Sequence, residues 1–210
     1  FLDSDDWWVP EKLEIAVSAL QDGHDVVYHD LYMITRLPAK KKSYSLVRTR
    51  PLTTPVFNDL LTNGNALSNS SVVVRSDLLS KINSFSEKSE LVGSEDFDGW
   101  LRMAQFSDRF HRLDGVLGCY WHGSGNLSSS KSALSNIKAL QDIYAIELSE
   151  LSPNKLPGWM IYSLARNSVA QGKFHEGRKY AWLALNCNIS KFLKGKVLII
   201  WLMALLKVSR

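Results

Sequence analysis

The opening stretch FLDSDDWWVPEKL, Phe1 to Leu13, sets three carboxylates within four positions (Asp3, Asp5 and Asp6) between an apolar start and two tryptophans. Carboxylates packed this closely repel one another and resist burial without partners. Two arrangements meet that constraint: a solvated turn, or a site where a cation offsets the repulsion. Pro10 suits the first turn of a following helix, where its missing N–H costs nothing. Leu13, Ala16, Val17 and Leu20 then share one face at three- and four-residue spacing, and Gly23 closes the helix. The stretch thus reads as strand end, acidic turn, helix. In open α/β sheets, ligands gather at the carboxyl ends of strands, where such a turn lies.

Further along, His24 to Ile34 is rich in β-branched and aromatic residues and reads as a strand, with a shorter one at Leu46 to Arg48. A helix is expected from Thr54-Pro55 to Asn63, capped by Gly64. Ser70 to Arg75 (SSVVVR) reads as a buried strand, Ser76 to Ile82 as a short helix, and Phe85 as a plug in the core. A second acidic cluster lies in GSEDFDGWLRMA, Gly93 to Ala104. Ser94 is an N-cap candidate, with Glu95, Asp96 and Asp98 in a first turn that favours carboxylates. Phe97, Trp100, Leu101 and Ala104 form the inward stripe, which leaves Trp100 structural and Arg102 on the solvated side. Such acids can simply decorate a helix start. Adjacent Glu95 and Asp96, between a Gly-Ser pair and an aromatic residue, also suit a carboxylate presented at a cleft as a general base.

Phe110 to Trp121 (FHRLDGVLGCYW) reads as one strand, or as two with a turn at Asp114-Gly115, and delivers His122 into the polar loop HGSGNLSSS. That setting marks His122 as a pocket residue; His24, His29, His111 and His175 have no such setting. From Lys131 onward the pattern is helical: Ala133 to Leu151, Gly158 to Gln171, Phe174 to Asn186, and Phe192 to Val208. The middle pair forms a hairpin at Gly172-Lys173 with tetratricopeptide-like small and aromatic positions, although only one such unit is present. The run VLIIWLMALL is too short to span a bilayer. It reads as a packing helix, while the flanking Lys194, Lys196, Lys207 and Arg210 also suit an interfacial one.

A hydrophobic content of 45% and seven tryptophans mark a folded protein, and 210 residues leave room for one sizeable core, or for a core domain plus an appendage. Much of the formal +4 charge lies between Arg36 and Arg50, a solvated loop or a surface for phosphate-bearing ligands or anionic headgroups. No reading motif accompanies that patch, which disfavours nucleic acid as a partner. Cys119 and Cys187 lack metal-ligand spacing and read as buried free thiols in a reducing compartment. The chain opens without an initiator methionine and inside a strand-end pattern, so a preceding portion is expected to be missing.

Three separated segments agree on one family. FLDSDDWWVPEKLE resembles the metal-binding aspartate motif of family 2 glycosyltransferases, inverting enzymes of the GT-A fold. NGNALSNSSVVVRSDLL with GSEDFDGWLRMA resembles the acceptor-side strand, helix and catalytic-base motif, and LGCYWHGSGNLS resembles the closing strand with its histidine. The resemblance covers residues 1–130 and implies an α/β fold with a GT-A-type (Rossmann-like) mixed sheet, N-terminally truncated; residues 131–210 read from their helical pattern as an α-helical hairpin appendage. It implies a nucleotide-diphospho-sugar donor, a glycan or lipid-linked acceptor, and Mn²⁺ or Mg²⁺ as cofactor. By motif position Asp5 is the direct metal ligand, and Asp3 sits by the ribose or supports the metal through water. Asp6 is the least certain of the three and caps the helix. Asp96 is the general base, Glu95 lies beside it, and His122 reaches the metal or diphosphate. A cytoplasmic location at the inner face of the membrane, in cell-surface polysaccharide assembly, follows at family level. The family's nucleobase-reading first half is absent, so this fragment alone is expected to transfer no sugar.

Asp3 and Asp5 also have the spacing of the haloacid-dehalogenase-like phosphotransferase aspartate pair. The tryptophans that follow, and the lack of a matching downstream lysine and acidic motif, count against that reading. A non-enzymatic helical interaction module, with the acids as surface turns, is the third alternative.

Overall fold

The computed structural model describes residues 1–35, 44–123, 133–151 and 156–208. Most of the basic loop after Arg36 and the polar loop after Gly123 lie outside the described residues. Two compact units divide the chain: Phe1–Leu60 with Asn65–Ser86 and Asp96–Asn126, and Leu61–Gly64 with Glu87–Glu95 and Leu127–Arg210.

The first unit holds a mixed sheet. Strand β1 (Trp7–Trp8) pairs antiparallel with β5 (Phe110–Trp121), which runs parallel to β2 (Val26–Ile34). On its other edge β2 pairs antiparallel with β4 (Val73–Val74) near its start and with β3 (Ser45–Val47) near its end. The β-branched and aromatic side chains of β2 are buried from Val26 to Leu31, as befits a central strand covered on both faces. Strand β5 is a single long element. Its register against β2 shifts between Tyr28 and Asp30, and Gly115 adopts φ +94° there, so the Asp114-Gly115 turn signal makes a bulge and not a hairpin.

Helix α1 (Lys12–Gln21) packs on this sheet through Ala16 and Ala19, against Val27, Leu113 and Leu117. This corrects the expected face: Leu13 is 51% exposed and Val17 45%, while Lys12 is fully buried. Two alanines let the helix approach the sheet closely, and Lys12 finds polar and aromatic partners inside. Helices α2 (Val56–Asn63) and α3 (Ser76–Lys81) match the expected positions. Helix α4 (Glu95–Ala104) buries Phe97, Trp100, Leu101 and Ala104 as its spacing predicts. Arg102 is half-buried, not solvated: it pairs with Asp98 at 2.8 Å and donates to the Ile82 carbonyl at 2.6 Å.

The expected strand at Ser70–Arg75 shrinks to the two residues of β4, preceded by a 3₁₀ turn over Asn69–Ser71. Its backbone oxygens are taken by other donors. The Val72 carbonyl accepts from Phe1 N, and the Ser70 carbonyl accepts from Trp8 Nε1 and Lys12 Nζ.

The second unit is helical: α5 (Ala133–Ile143), α6 (Ala145–Leu151), α7 (Gly158–Ala170), α8 (Phe174–Leu185) and α9 (Lys191–Leu206). The helix expected over 133–151 is two, broken at Tyr144. The α7–α8 hairpin turns at Gly172, whose φ of +73° favours glycine. At Gly177 a side chain would meet Val169 at 2.5 Å, so the missing Cβ sets how closely α8 approaches α7. Helix α9 joins them through Val197, Ile200 and Ala204. Cys119 and Cys187 are free and partly exposed, where burial was expected. Among the described residues no helix is long and apolar enough to cross a membrane. The described chain is thus mixed α/β, consistent with a Rossmann-like arrangement.

Candidate functional site

Asp3 to Asp6 form a tight turn, closed by the Asp6 N–H donating to the Asp3 carbonyl at 3.1 Å. Asp3 and Asp5 are exposed on it and Asp6 is buried. The arrangement separates the crowded acids: two stay in solvent and one turns inward. Asp3 Oδ1 accepts from Asn69 Nδ2 at 2.8 Å, and Asp3 N–H donates to Ser70 Oγ at 3.0 Å. The turn is therefore pinned to the 3₁₀ segment.

Asp6 Oδ1 accepts the Trp121 N–H at 2.7 Å, which ties the turn to the last residue of β5. Its Oδ2 is buried with no hydrogen-bond partner among the described residues. Burial raises the Asp6 pKa, assisted by the negative charges of Asp3 and Asp5 and opposed by the Ser70 hydroxyl and the Trp121 amide. By motif position Asp6 stands last of the three, as a helix cap. Its carboxylate instead serves the strand across from it.

His122 follows Trp121 directly. Its N–H donates to the Ile34 carbonyl at 2.8 Å, and its ring is exposed, 6.4 Å from that of Tyr120. Ile34 and Trp121 are register partners at the carboxyl ends of the parallel strands β2 and β5. Trp7, just after the turn, is paired with Cys119. The acidic turn and the His122 backbone thus share the carboxyl edge of the sheet, where α/β proteins place ligands.

Asp96 is half-buried in the first turn of α4, and its Oδ1 accepts the Phe97 N–H. Four residues on, and so on the same helix face, Trp100 is fully buried with its ring 5.5 Å from Phe1 and 5.4 Å from Phe85. Phe1 and Phe85 lie 4.7 Å apart. This aromatic trio fastens the start of the acidic stretch to the helix that carries Asp96. Glu95, counted with the second unit, accepts from the Gly93 N–H.

The residue that sequence reasoning missed is Lys12. Its ammonium donates to the Ser70 carbonyl at 2.9 Å and sits 3.8 Å from the centroid of the Trp8 ring. Burial lowers its pKa to about 7. The signal was present: Lys12, Ala16 and Ala19 form a row at four- and three-residue spacing, and Trp8 stands four residues before Lys12.

Among the described residues no three His, Cys, Asp or Glu side chains converge as a metal-binding group. The exposed Asp3–Asp5 turn therefore fits a hard cation only in the manner of Mg²⁺, held by one or two carboxylates with the remaining ligands from water and a phosphorylated substrate.

Neither a family model nor a curated protein matches the sequence. Among solved structures, the crystal structure of S. aureus TarS 1-349 is similar with a TM-score of 0.42 and 14% identity, over 97% of this chain and 64% of that one. This chain thus spans less than two thirds of that structure's length.

Proposed function

We propose that the chain is the C-terminal part of an inverting, family 2-like glycosyltransferase domain of the GT-A type, with a helical tail. One observation carries the reading. The turn that bears Asp3 and Asp5 is fastened to both other motif segments, to Trp121 beside His122 through Asp6, and to the Asp96 helix through Phe1 on Trp100. A surface decoration has no need of either link.

In this reading the donor is a nucleotide-diphospho-sugar and the acceptor a glycan or lipid-linked hydroxyl, met at the cytoplasmic face of the membrane. Asp5, with Asp3 behind it, holds Mn²⁺ or Mg²⁺, which when bound neutralises the diphosphate. His122 contacts the metal or the diphosphate at the strand end. Asp96 removes the proton from the acceptor hydroxyl. The freed oxygen forms its bond to the anomeric carbon from the face opposite the leaving group, and the bond to the diphosphate breaks with inversion. Glu95 lies next to the base and orients the acceptor. The donor pocket needs the nucleobase-reading first half of such a domain.

The test is donor binding by calorimetry in the complete protein, with Mn²⁺ present and absent. Asp5→Asn should abolish the metal-dependent part of binding. Unchanged metal dependence in that variant would remove Asp5 from the site.

A further inference from the structure

Helix α9 is apolar around its whole circumference from Val197 to Leu206, a pattern that normally means apolar neighbours on both sides. Among the described residues only one side has them. Val197, Ile200 and Ala204 pack into the helical core, whereas Leu198, Leu202, Leu205 and Leu206 form an exposed row, with Leu206 71% and Leu202 43% accessible. At the helix start Phe192 is 75% exposed, with Lys196 Nζ 4.4 Å from its ring centroid.

The charge around this row is one-sided. From Gly158 to Val208 the sequence carries eight lysines and arginines and a single carboxylate, Glu176. Two grooves flank α9. On the α7 side a cavity of about 460 Å³ is lined by Ile199 and Met203 together with Tyr162, Arg166 and Lys196. On the α8 side one of about 400 Å³ sets Trp182 and Trp201 beside His175, Arg178 and Lys179. Aliphatic side chains in the middle, with tryptophan, tyrosine and cations at the edges, match the layering of a bilayer interface.

We infer that the exposed face of α9 is a docking surface for an anionic lipid bilayer. The leucine row enters the acyl boundary, and the cations lining the two grooves meet lipid phosphates. The helix lies in the plane of the interface, since no described helix is long and apolar enough to cross. Charge complementarity selects this occupant: a purely apolar partner leaves the cations unanswered, and a soluble polyanion leaves the leucines in water. The inference rests on the helical unit alone and stands apart from the transfer chemistry proposed for the first unit.

Co-sedimentation of the full chain with vesicles tests it. The vesicles are phosphatidylcholine alone, or phosphatidylcholine with about one part in three phosphatidylglycerol. Binding to the anionic vesicles should exceed binding to the neutral ones at least about tenfold and weaken as salt rises from about 0.1 to 0.5 M. Leu202→Glu with Leu205→Glu should remove binding while circular dichroism keeps its helical signal. Arg178→Glu with Lys196→Glu, one cation from each groove, should abolish the preference for anionic lipid. Equal binding to both vesicles, or no binding, overturns the proposal. A lipid-free dimer that Leu202→Glu disperses would also overturn it, by assigning the face to a second copy.

Discussion

Asp6 accepts the Trp121 N–H at 2.7 Å across 115 residues of sequence, and so couples the acidic turn to the strand end that precedes His122. The coupling is a single charged hydrogen bond made by a buried group, so its two halves can be separated by substitution. Asp6→Asn keeps an acceptor oxygen and removes the charge. The raised Asp6 pKa means that the folded state favours the protonated form: the resulting stability is present at low pH and lost as pH rises. Asp6→Asn should therefore equal or slightly exceed wild type in melting temperature at pH 7, with the difference closing toward pH 4. Asp6→Leu removes the carboxylate that accepts the Trp121 N–H and should cost about 2 kcal/mol, measured by urea unfolding.

Lys12 gives the opposite limb of the pH profile. Its pKa falls from the ordinary lysine value of 10.5 to about 7 in the fold. Between those values the unfolded chain binds a proton that the folded chain does not, so stability rises with pH across the window and is lowest below about 7. The Trp8 ring and the Ser70 carbonyl hold part of the charge, and we expect a rise of roughly 2–3 kcal/mol between pH 7 and 10.5. Lys12→Met should flatten that slope, so the wild-type-minus-variant difference in unfolding free energy should change with pH.

His29 should govern acid lability. It is fully buried in β2, with its Nδ1–H donating to the Asp30 carbonyl at 2.7 Å and Nε2 without a partner among the described residues. Burial lowers its pKa to about 4. The neutral ring is thus built in, and stability present above pH 6.5 is lost as pH falls through 4. His29→Asn retains the donor and has no charge to gain. Its urea midpoint should start lower at pH 7 and fall less steeply than wild type on acidification to pH 4.5.

Gly99 tests the aromatic trio. A Cβ there would clash with the Phe85 ring, and that ring is held between Phe1 and Trp100. Helix propensity favours alanine over glycine by about 1 kcal/mol, but overpacking at a held ring costs about 1–3 kcal/mol, so the clash decides the sign. Gly99→Ala should lower stability, and adding Phe85→Leu should restore part of the loss. Thermal unfolding of the two variants side by side is sufficient.

Periodicity carried much of the fold. Helix α4 buried the stripe its spacing marked, and β2 lay where β-branched and aromatic residues are dense. Errors came where tertiary partners outweighed local pattern. Leu13 and Val17 satisfy a helical face as well as Ala16 and Ala19 do, but only the alanines permit close approach to the sheet, and only the folded chain places Trp8 and the Ser70 carbonyl where Lys12 can be buried. SSVVVR has strand composition, yet its carbonyls are claimed by Phe1, Trp8 and Lys12, partners remote in sequence. The candidate site was legible as three motifs. Its fastenings were not, because the Asp6–Trp121 bond and the Phe1–Trp100 contact join segments about a hundred residues apart.

Sugar transfer by the complete protein carrying Asp96→Asn tests most directly the proposed role of Asp96 in taking the acceptor proton. Donor binding with Mn²⁺ should be unchanged, and turnover should fall by at least about 10²-fold, as expected when a general base is removed. Transfer at the wild-type rate in that variant would contradict the assignment of the base and, with it, the proposed mechanism.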